Sequence, residues 1–423
     1  MDYVPYAVPF FLLAILIELS YGWLKNNNTY RANDALSSMF MGALRSTSSA
    51  LKIGLGGAVF FFVETHFSLP RWDSSSILTW IVAFIAYDFF YYWFHRISHE
   101  RQIFWASHVA HHQSEDYNLS TALRQTGTGF FLTWVFYIPL FIIGVPSYVF
   151  VSVASINLIY QFWVHTEHVP KLGWFELFFV SPSNHRVHHA QNEEYIDKNY
   201  GGVFIIWDRL FGTFKEEEDN LSPIYGIRGP LKTFNPVWAN LHIYVKMLRE
   251  IFHTKNLKDK LYVLVAPTRW IPTDSGHLSP KTDFDVHNFK KYNPNSSLAS
   301  KSYAFFQLIF VSLISTVFIE LGELNLPQGI VVAIAMVSTA YCVSLWLDSK
   351  KALLADAFRI VFLIGVLLTS FFFPEANKYT LPLAGYLSIN LLFLFFLYNS
   401  FRKNNLLTCL LYTSDAADER SGG

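Results

Sequence analysis

The sequence predicts an all-α, polytopic integral membrane protein with about nine transmembrane helices and a cytoplasmic, histidine-rich, metal-binding helical cap. Three observations predict this fold. Hydrophobic residues make up 52% of the chain and charged residues only 15%, which is low for a soluble domain. Long apolar segments recur along the chain, and histidines are concentrated in four clusters between residues 95 and 189.

The membrane helices are predicted from apolar segments close to the roughly 20 residues needed to cross the hydrocarbon core. The first, Tyr6–Leu24, lacks the basic start and the cleavage site of a signal peptide and is predicted to be a retained anchor. The other predicted spans are 48–66, 77–94, 129–144, 147–164, 303–321, 328–347, 352–373 and 380–400. Glu18 and Glu64 lie within or at the edge of spans, where a carboxylate usually faces protein.

Basic residues flank the spans asymmetrically. Lys25, Arg96, Lys350, Arg359 and Arg402 fall on one side if the N-terminus lies outside the cytoplasm. The positive-inside rule then places that side, with every histidine cluster, in the cytoplasm. The expected location is a bacterial inner membrane, or the endoplasmic reticulum if the source is eukaryotic. The formal net charge is zero, so no nucleic-acid partner is expected.

Four short motifs, HRISH, HVAHH, HTEH and HRVHH, contain ten of the 15 histidines. Residues three and four apart lie on one face of a helix, so these spacings direct pairs of imidazoles the same way. A lone histidine is more often a packed or surface residue, but repeated clusters directly after an apolar span indicate a metal site. Neutral imidazole suits iron, zinc, copper and nickel, and the motifs lack the thiolate that favours structural zinc.

Three longer strings narrow the interpretation. They are FWASHVAHHQSEDYNLSTALRQ (104–125), YQFWVHTE (160–167) and PSNHRVHHAQNEEYIDKNYGGVFIIWDRLFGTF (182–214). Together with the histidine spacing, they resemble the membrane fatty acid hydroxylase and sterol desaturase superfamily, and within it the alkylglycerol monooxygenase family. The resemblance is strong around the histidines and weak towards the C-terminus.

The resemblance implies a set of metal ligands and supporting residues. The implied ligands are His95, His99, His108, His111, His112, His165, His185, His188 and His189. His168 has no counterpart and Asn184 stands where relatives often carry histidine, so neither is counted as a ligand. Glu100 matches a family carboxylate that acts on protons or orients a ligand; a surface glutamate is the alternative. The residues expected to line the pocket or to support the imidazoles are Asp116, Asn118, Thr121 and Arg124.

The implied chemistry is the oxidation of a lipid. Carbon–hydrogen bonds of an alkyl chain need an oxidant that side chains alone do not provide. The resemblance implies an iron-dependent monooxygenase that uses O2 to hydroxylate the carbon next to the ether bond of alkylglycerols, giving a fatty aldehyde and a glycerol derivative. The four histidine clusters can surround one or two metal ions, and two iron ions are expected. It also implies tetrahydrobiopterin as the reductant, and a separate electron donor is expected because no fused haem domain is seen.

Two other interpretations stay open. One is a hydroxylase or desaturase of the same superfamily that acts on a sterol, carotenoid or fatty acyl chain. The other is a non-catalytic membrane protein that binds or transports metal. A transporter is expected to carry ionisable residues midway through several spans, whereas these histidines lie at span ends.

The predicted organisation has four parts and a tail. They are N-terminal membrane helices (1–76), a histidine-box catalytic unit (77–215), a cytoplasmic amphipathic segment (216–301), C-terminal membrane helices (302–403) and the tail 409–423. Within the amphipathic segment, residues 235–249 predict a helix. The isolated His242, His253, His277 and His287 are assigned no metal. The tail resembles a translated sequencing adapter and is expected to be an artefact outside the fold.

Overall fold

The computed structural model describes residues 1–52, 54–274, 285–316, 324–350, 352–372 and 377–403. Over these residues the protein is helical, with three isolated β-bridges and no strand, which confirms the predicted all-α class. His277 and the tail 409–423 lie outside the described residues. The chain forms two compact units: Met1–Lys232 with Pro236–Tyr292, and Thr233–Asn235 with Asn293–Gly423.

The first unit carries the histidine motifs. Its α-helices are α1 (Val4–Leu24), α2 (Ala32–Leu44), α3 (Thr47–Ala50), α4 (Leu55–His66), α5 (Ile77–Glu100), α6 (Gln102–Ala106), α7 (Val109–His112), α8 (Leu119–Ala122), α9 (Ile138–Ile142), α10 (Ser147–Trp163), α11 (Pro182–His189), α12 (Ile206–Phe211), α13 (Pro236–His253) and α14 (Leu257–Val265). Short 3-10 helices span Gly129–Phe131, Thr133–Tyr137 and Gly173–Leu177. The second unit consists of α15 (Leu298–Ile314), α16 (Leu326–Leu347), α17 (Leu353–Ser370) and α18 (Asn377–Lys403).

By length and composition, this is a multi-pass membrane protein. In the described part of the chain, five helices can cross a membrane: α1, α5, α16, α17 and most of α18; the bent pair Ala32–Ala50 and Leu55–His66 would make a sixth. The count of about nine spans is not confirmed. Segment 129–144 is broken into short helices, and α10 and α15 have 17 residues each. At 1.5 Å per residue, 17 residues reach about 26 Å, less than the hydrocarbon thickness of about 30 Å.

The central helix of the first unit is α5, which packs against α10 and α6. Its sequence contains neither Gly nor Pro, so the helix continues beyond the apolar part and ends at Glu100. Its Ala83 belongs to a cluster of buried apolar side chains that also includes Phe141 and Val149. This one helix therefore carries the first histidine motif beyond the end of the apolar span.

Two carboxylates of the membrane helices are paired within the first unit. Glu18 of α1 is buried and accepts a hydrogen bond from the backbone N–H of Leu119 at 2.8 Å and from the hydroxyls of Tyr30 and Thr166. Because Thr166 directly follows His165, Glu18 fixes α1 against a histidine-bearing segment. Glu64, at the end of α4, forms an ion pair with Arg71 at 3.2 Å.

In the second unit each helix packs on the next, and α18 also contacts α15. A buried polar network lies inside this bundle. Arg359 donates to Asp356 at 2.8 Å and to the hydroxyls of Tyr303 and Tyr386 at 2.7 and 2.5 Å. Trp346 donates to the second carboxylate oxygen of Asp356 at 2.6 Å. Arg359, one of the basic residues near the seventh and eighth predicted spans, is buried in α17. Its charge is neutralised by Asp356, one helical turn away.

Candidate metal centre

The nine histidines predicted as ligands come together in two groups in the first unit. In each group, one ring nitrogen from every histidine lies within 4.8 Å of the others. The five-histidine group contains His95, His99, His108, His112 and His188. The four-histidine group contains His111, His165, His185 and His189. The HVAHH and HRVHH motifs are therefore each divided between the two groups.

Helical geometry explains this division. His95 and His99 are four apart on α5, and His108 and His112 are four apart across α7, so both pairs face the five-histidine group. His111 lies on a different face of α7 and joins the other group.

The same rule operates in α11. His185 and His189 are four apart and face the four-histidine group, whereas His188 turns to the five-histidine group. The start of α11 is held by a capping box, in which the Ser181 and Asn184 side chains each accept a hydrogen bond from the other's backbone N–H. Asn184 therefore has a structural task, in agreement with its exclusion from the ligand set.

The rings are oriented by main-chain carbonyl groups. The Nδ1 atoms of four histidines bond to backbone oxygens: His95 to Tyr200 at 2.8 Å, His111 to Arg124 at 2.9 Å, His165 to Gln161 at 2.8 Å and His188 to Lys198 at 3.0 Å. A carbonyl oxygen only accepts, so each of these Nδ1 atoms carries the proton. The Nε2 lone pair is then free to bind a metal ion.

The converging nitrogen atoms fit a cation. Nε2 of His108 lies 3.2 Å from Nε2 of His95 and 3.1 Å from Nε2 of His112. Nε2 of His185 lies 3.1 Å from its counterpart in His165 and 3.2 Å from that in His189. Nε2 of His95 and Nε2 of His165 face these neighbours as acceptors, because their Nδ1 atoms carry the protons. One buried metal ion in each group would accept lone pairs from the converging nitrogens.

Burial keeps the four-histidine group uncharged. It lowers the pKa of His111 to about 4, and it lowers the pKa values of His165, His185 and His189 well below the usual range. Metal ions bind neutral imidazole, so these side chains are in the ligating form at physiological pH.

We expect the metal-stripped protein to lose stability as the pH falls from about 6.5 to about 4. In this window the unfolded chain takes up protons on its histidines, whereas buried histidines with lowered pKa values do not. Protonation therefore favours unfolding. A histidine pKa lowered from 6.5 to about 4, as for His111, contributes ~3 kcal/mol to this loss. Thermal unfolding of the chelated protein in detergent measures it, and equal transition temperatures at about pH 7 and pH 5 would contradict it.

Two buried aspartates hold the loop that supports the five-histidine group. Asp208 accepts hydrogen bonds from the backbone N–H groups of Tyr200 and Gly201 at 2.7 and 2.8 Å. Asp88 of α5 accepts from the backbone N–H groups of Val203 and Phe204 at 2.8 and 3.0 Å, and from the indole N–H of Trp207 in α12 at 3.0 Å. Neither aspartate was singled out from the sequence. The available signal was Asp88 itself, a charge inside an apolar span, which usually marks a functional or buried polar contact.

Gly202→Ala is expected to disrupt this loop. A Cβ at Gly202 would lie 2.8 Å from both Asp88 Oδ1 and Tyr91 Cδ1. Glycine is therefore required at this position by the close approach of neighbouring atoms and not by a left-handed backbone. The overpacking should cost ~1–3 kcal/mol and reduce metal content, measured by thermal unfolding and by metal analysis. Gly57→Ala is the matched control, because nothing lies within 4 Å of its new Cβ; equal effects of the two variants would refute the prediction.

The structure leaves Glu100 outside both groups. Its carboxylate accepts a hydrogen bond from Arg96 at 2.9 Å, and 35% of its side chain is exposed. His168 is also outside the groups, with its ring 5.1 Å from that of Tyr21.

The four predicted supporting residues lie in the segment that follows α7. Arg124 orients His111 through its carbonyl oxygen and donates from Nε to Ala110 O at 2.8 Å. Asn118 and Thr121 form the capping box of α8. Asp116 accepts from Arg31 and Lys291 at 2.8 Å each. Among the hydrogen bonds of the described residues, Arg124 alone of the four is bonded to a ligand histidine.

The comparisons with known proteins agree with this site. The fatty acid hydroxylase family matches residues 80–213, which include all nine histidines of the two groups. The alkylglycerol monooxygenases of Danio rerio and Homo sapiens are each 43% identical to the chain, over 274 and 275 residues. These alignments cover 64% of this chain and 60% of each relative. No solved structure matches the chain significantly.

A third relative is covered more fully. The alkylglycerol monooxygenase of Xenopus tropicalis is 34% identical over 326 residues, which is 77% of this chain and 72% of the relative. The chain thus spans about 60% of the length of the fish and human proteins and more of the frog protein. By sequence identity and coverage, supported by two buried groups of histidines, the chain belongs to the alkylglycerol monooxygenase family.

Proposed function

We propose that this protein is an iron-dependent membrane monooxygenase that hydroxylates the carbon next to the ether bond of alkylglycerols. The product breaks down to a fatty aldehyde and a glycerol derivative. The observation that carries the proposal is the pair of buried histidine groups, in which all nine ligand candidates converge. The identity of 43% to two alkylglycerol monooxygenases supports this choice of substrate over a sterol, carotenoid or fatty acyl chain.

We further propose one iron ion in each histidine group. When bound, iron supplies with O2 the oxidising power that attacks a carbon–hydrogen bond, which protein side chains lack. The chain itself holds the rings at fixed angles through the carbonyl groups of Lys198 and Tyr200. Burial of the two groups keeps bulk water away, and burial of Glu18 and Asp88 fixes the supporting segments.

The remaining parts of the proposal come from the family resemblance and the sequence. Tetrahydrobiopterin is proposed as the reductant, and a separate donor as the source of electrons. Glu100 is proposed to handle protons at the rim, and Asp116, Asn118 and Thr121 are proposed to shape the pocket. The histidine groups are proposed to lie on the cytoplasmic side of the membrane, and the distribution of basic residues supports this side. The domain limits 77–215 for the catalytic unit are likewise a proposal.

An aldehyde assay tests the function. Purified protein would be loaded with ferrous iron and given O2, tetrahydrobiopterin and a labelled alkylglycerol, with His188→Ala as the blank. Aldehyde above the blank is expected. Its absence from a protein that contains iron would refute the ether-lipid activity and direct the search to other lipids. Absence of both iron and turnover would refute the oxygenase proposal as a whole. Metal uptake without any oxygenase activity would favour a metal-binding or transport protein.

A further inference from the structure

The five-histidine group is covered on one side by an aromatic ring with an unused hydroxyl group. The ring centroid of Tyr200 lies 5.9 Å from that of His95, 5.4 Å from that of His99 and 5.9 Å from that of His188. Tyr200 is fully buried, with 0% of its surface exposed. Its backbone is bonded on both sides, to Asp208 through N–H and to His95 through the carbonyl oxygen. The position of this side chain beside the group is therefore firmly held.

The hydroxyl of Tyr200 has no hydrogen-bond partner among the described residues. Two ligand nitrogens of the same group, Nε2 of His99 and Nε2 of His188, are also buried without a partner. The rings that carry these two nitrogens are neighbours of the Tyr200 ring. Leaving a buried O–H group unpaired is unfavourable, so a site that retains one usually pairs it with a group bound from outside.

We propose that the Tyr200 hydroxyl donates a hydrogen bond to the small ligand that enters the five-histidine group. The ligand is a molecule or anion with an oxygen or nitrogen lone pair, of the size of water or azide. Histidine nitrogens that bind a metal ion have no proton to offer such a ligand, whereas a phenol has one. Tyr200 is thus assigned as a donor that contacts the bound ligand, while its backbone orients His95. The inference rests on the proposed function, because it requires a metal ion in this group.

A second buried tyrosine beside the histidines provides a contrast. Tyr117 is also fully buried, and its ring lies 5.7 Å from that of His165 and 5.3 Å from that of His189. Its hydroxyl, however, donates to the carbonyl oxygen of Val164 at 2.9 Å. This hydroxyl has a structural bond and is not available to a ligand. The two tyrosines share burial and histidine contact and differ in whether the hydroxyl is used within the protein.

The experiment compares Tyr200→Phe and Tyr117→Phe in the full-length, iron-loaded protein oxidised to the ferric state. Azide is the probe, and its dissociation constant is measured by absorbance titration, with iron content determined for each sample. Tyr200→Phe should retain iron and bind azide about tenfold more weakly, equivalent to ~1.4 kcal/mol. Tyr117→Phe should bind azide as the unmodified protein does.

Thermal unfolding gives a second, independent readout. Tyr200→Phe should unfold at the same or a higher temperature than the unmodified protein, because it removes an unpaired buried hydroxyl. Tyr117→Phe should unfold at a lower temperature, because the Val164 carbonyl loses its donor. A lower unfolding temperature or a loss of iron in Tyr200→Phe would overturn the inference, since either would show a structural role.

Unchanged azide affinity in Tyr200→Phe would also overturn the inference. The azide titration uses no lipid and no reductant, so it is independent of turnover. Failure of the aldehyde assay with a weakened azide complex would refute the ether-lipid activity and leave the role of Tyr200 standing. Aldehyde production by a protein whose azide affinity is unchanged in Tyr200→Phe would support the ether-lipid activity and refute the role of Tyr200.

Discussion

His188→Ala should abolish lipid turnover and lower the metal affinity of the five-histidine group by more than about 100-fold. The His188 side chain is buried, its Nδ1 bonds to the Lys198 carbonyl oxygen at 3.0 Å, and its Nε2 faces the other four ligand atoms. Alanine removes one of five ligands and leaves a gap inside the group. Iron analysis and aldehyde production, measured on protein recovered from the membrane fraction, would report the two losses.

His253→Ala is the matched control for this prediction. His253 also bonds through Nδ1 to a backbone oxygen, that of Arg249 at 2.8 Å, but it is exposed and belongs to neither histidine group. Its loss should leave both iron content and turnover unchanged. Full activity of His188→Ala would show that the five-histidine group is not the reaction centre, and so would equal losses in the two variants.

Asp356→Leu should destabilise the second unit by ~3–5 kcal/mol. The variant leaves the guanidinium group of Arg359 in the interior of a helix bundle without its carboxylate, and neither side chain of the pair has access to solvent. Trp346 loses its acceptor at the same time. Thermal unfolding in detergent, followed through protease resistance of the C-terminal helices, measures the effect.

The double variant Asp356→Leu with Arg359→Met separates the cost of an unpaired charge from the cost of altered packing. Replacing a buried ion pair by apolar side chains of similar size is often nearly neutral. The double variant should therefore recover most of the stability that the single variant loses. If both variants are equally unstable, packing around residue 356 is responsible; if neither is unstable, the pair contributes nothing to the fold.

Much of the metal site is predictable from the sequence because helical spacing is a local property. The i,i+4 pairs on α5, α7 and α11 face one way in any helix, so the nine ligand candidates follow from spacing and family resemblance. The division into five and four does not follow. It depends on how closely α5, α7 and α11 approach the end of α10, where His165 lies, and that approach is set by contacts between distant segments.

The less successful predictions concern features that depend on tertiary partners. The apolar composition of segment 129–144 predicts a membrane span. In the structure this segment forms short helices that pack against α5. The sequence indicates only that Arg359 is a basic residue near the ends of two spans. Its burial depends on the hydrogen bonds to Asp356 and Tyr303, which only the tertiary structure brings together. The roles of Asp88 and Tyr200 likewise emerge only when the loop that follows α11 is placed against α5.

The main-chain oxygens that orient the histidines have a consequence for how this protein tolerates mutation. Every residue type supplies a carbonyl group, so a change of side chain at Lys198 or Gln161 leaves the aim of His188 or His165 intact. The number of residues between His189 and Tyr200, by contrast, cannot change without cost. Inserting or deleting a single residue between His189 and Tyr200 would shift the carbonyls of Lys198 and Tyr200 away from their rings. At Lys198, residue identity should therefore vary freely, whereas the length of the segment 190–199 should vary rarely.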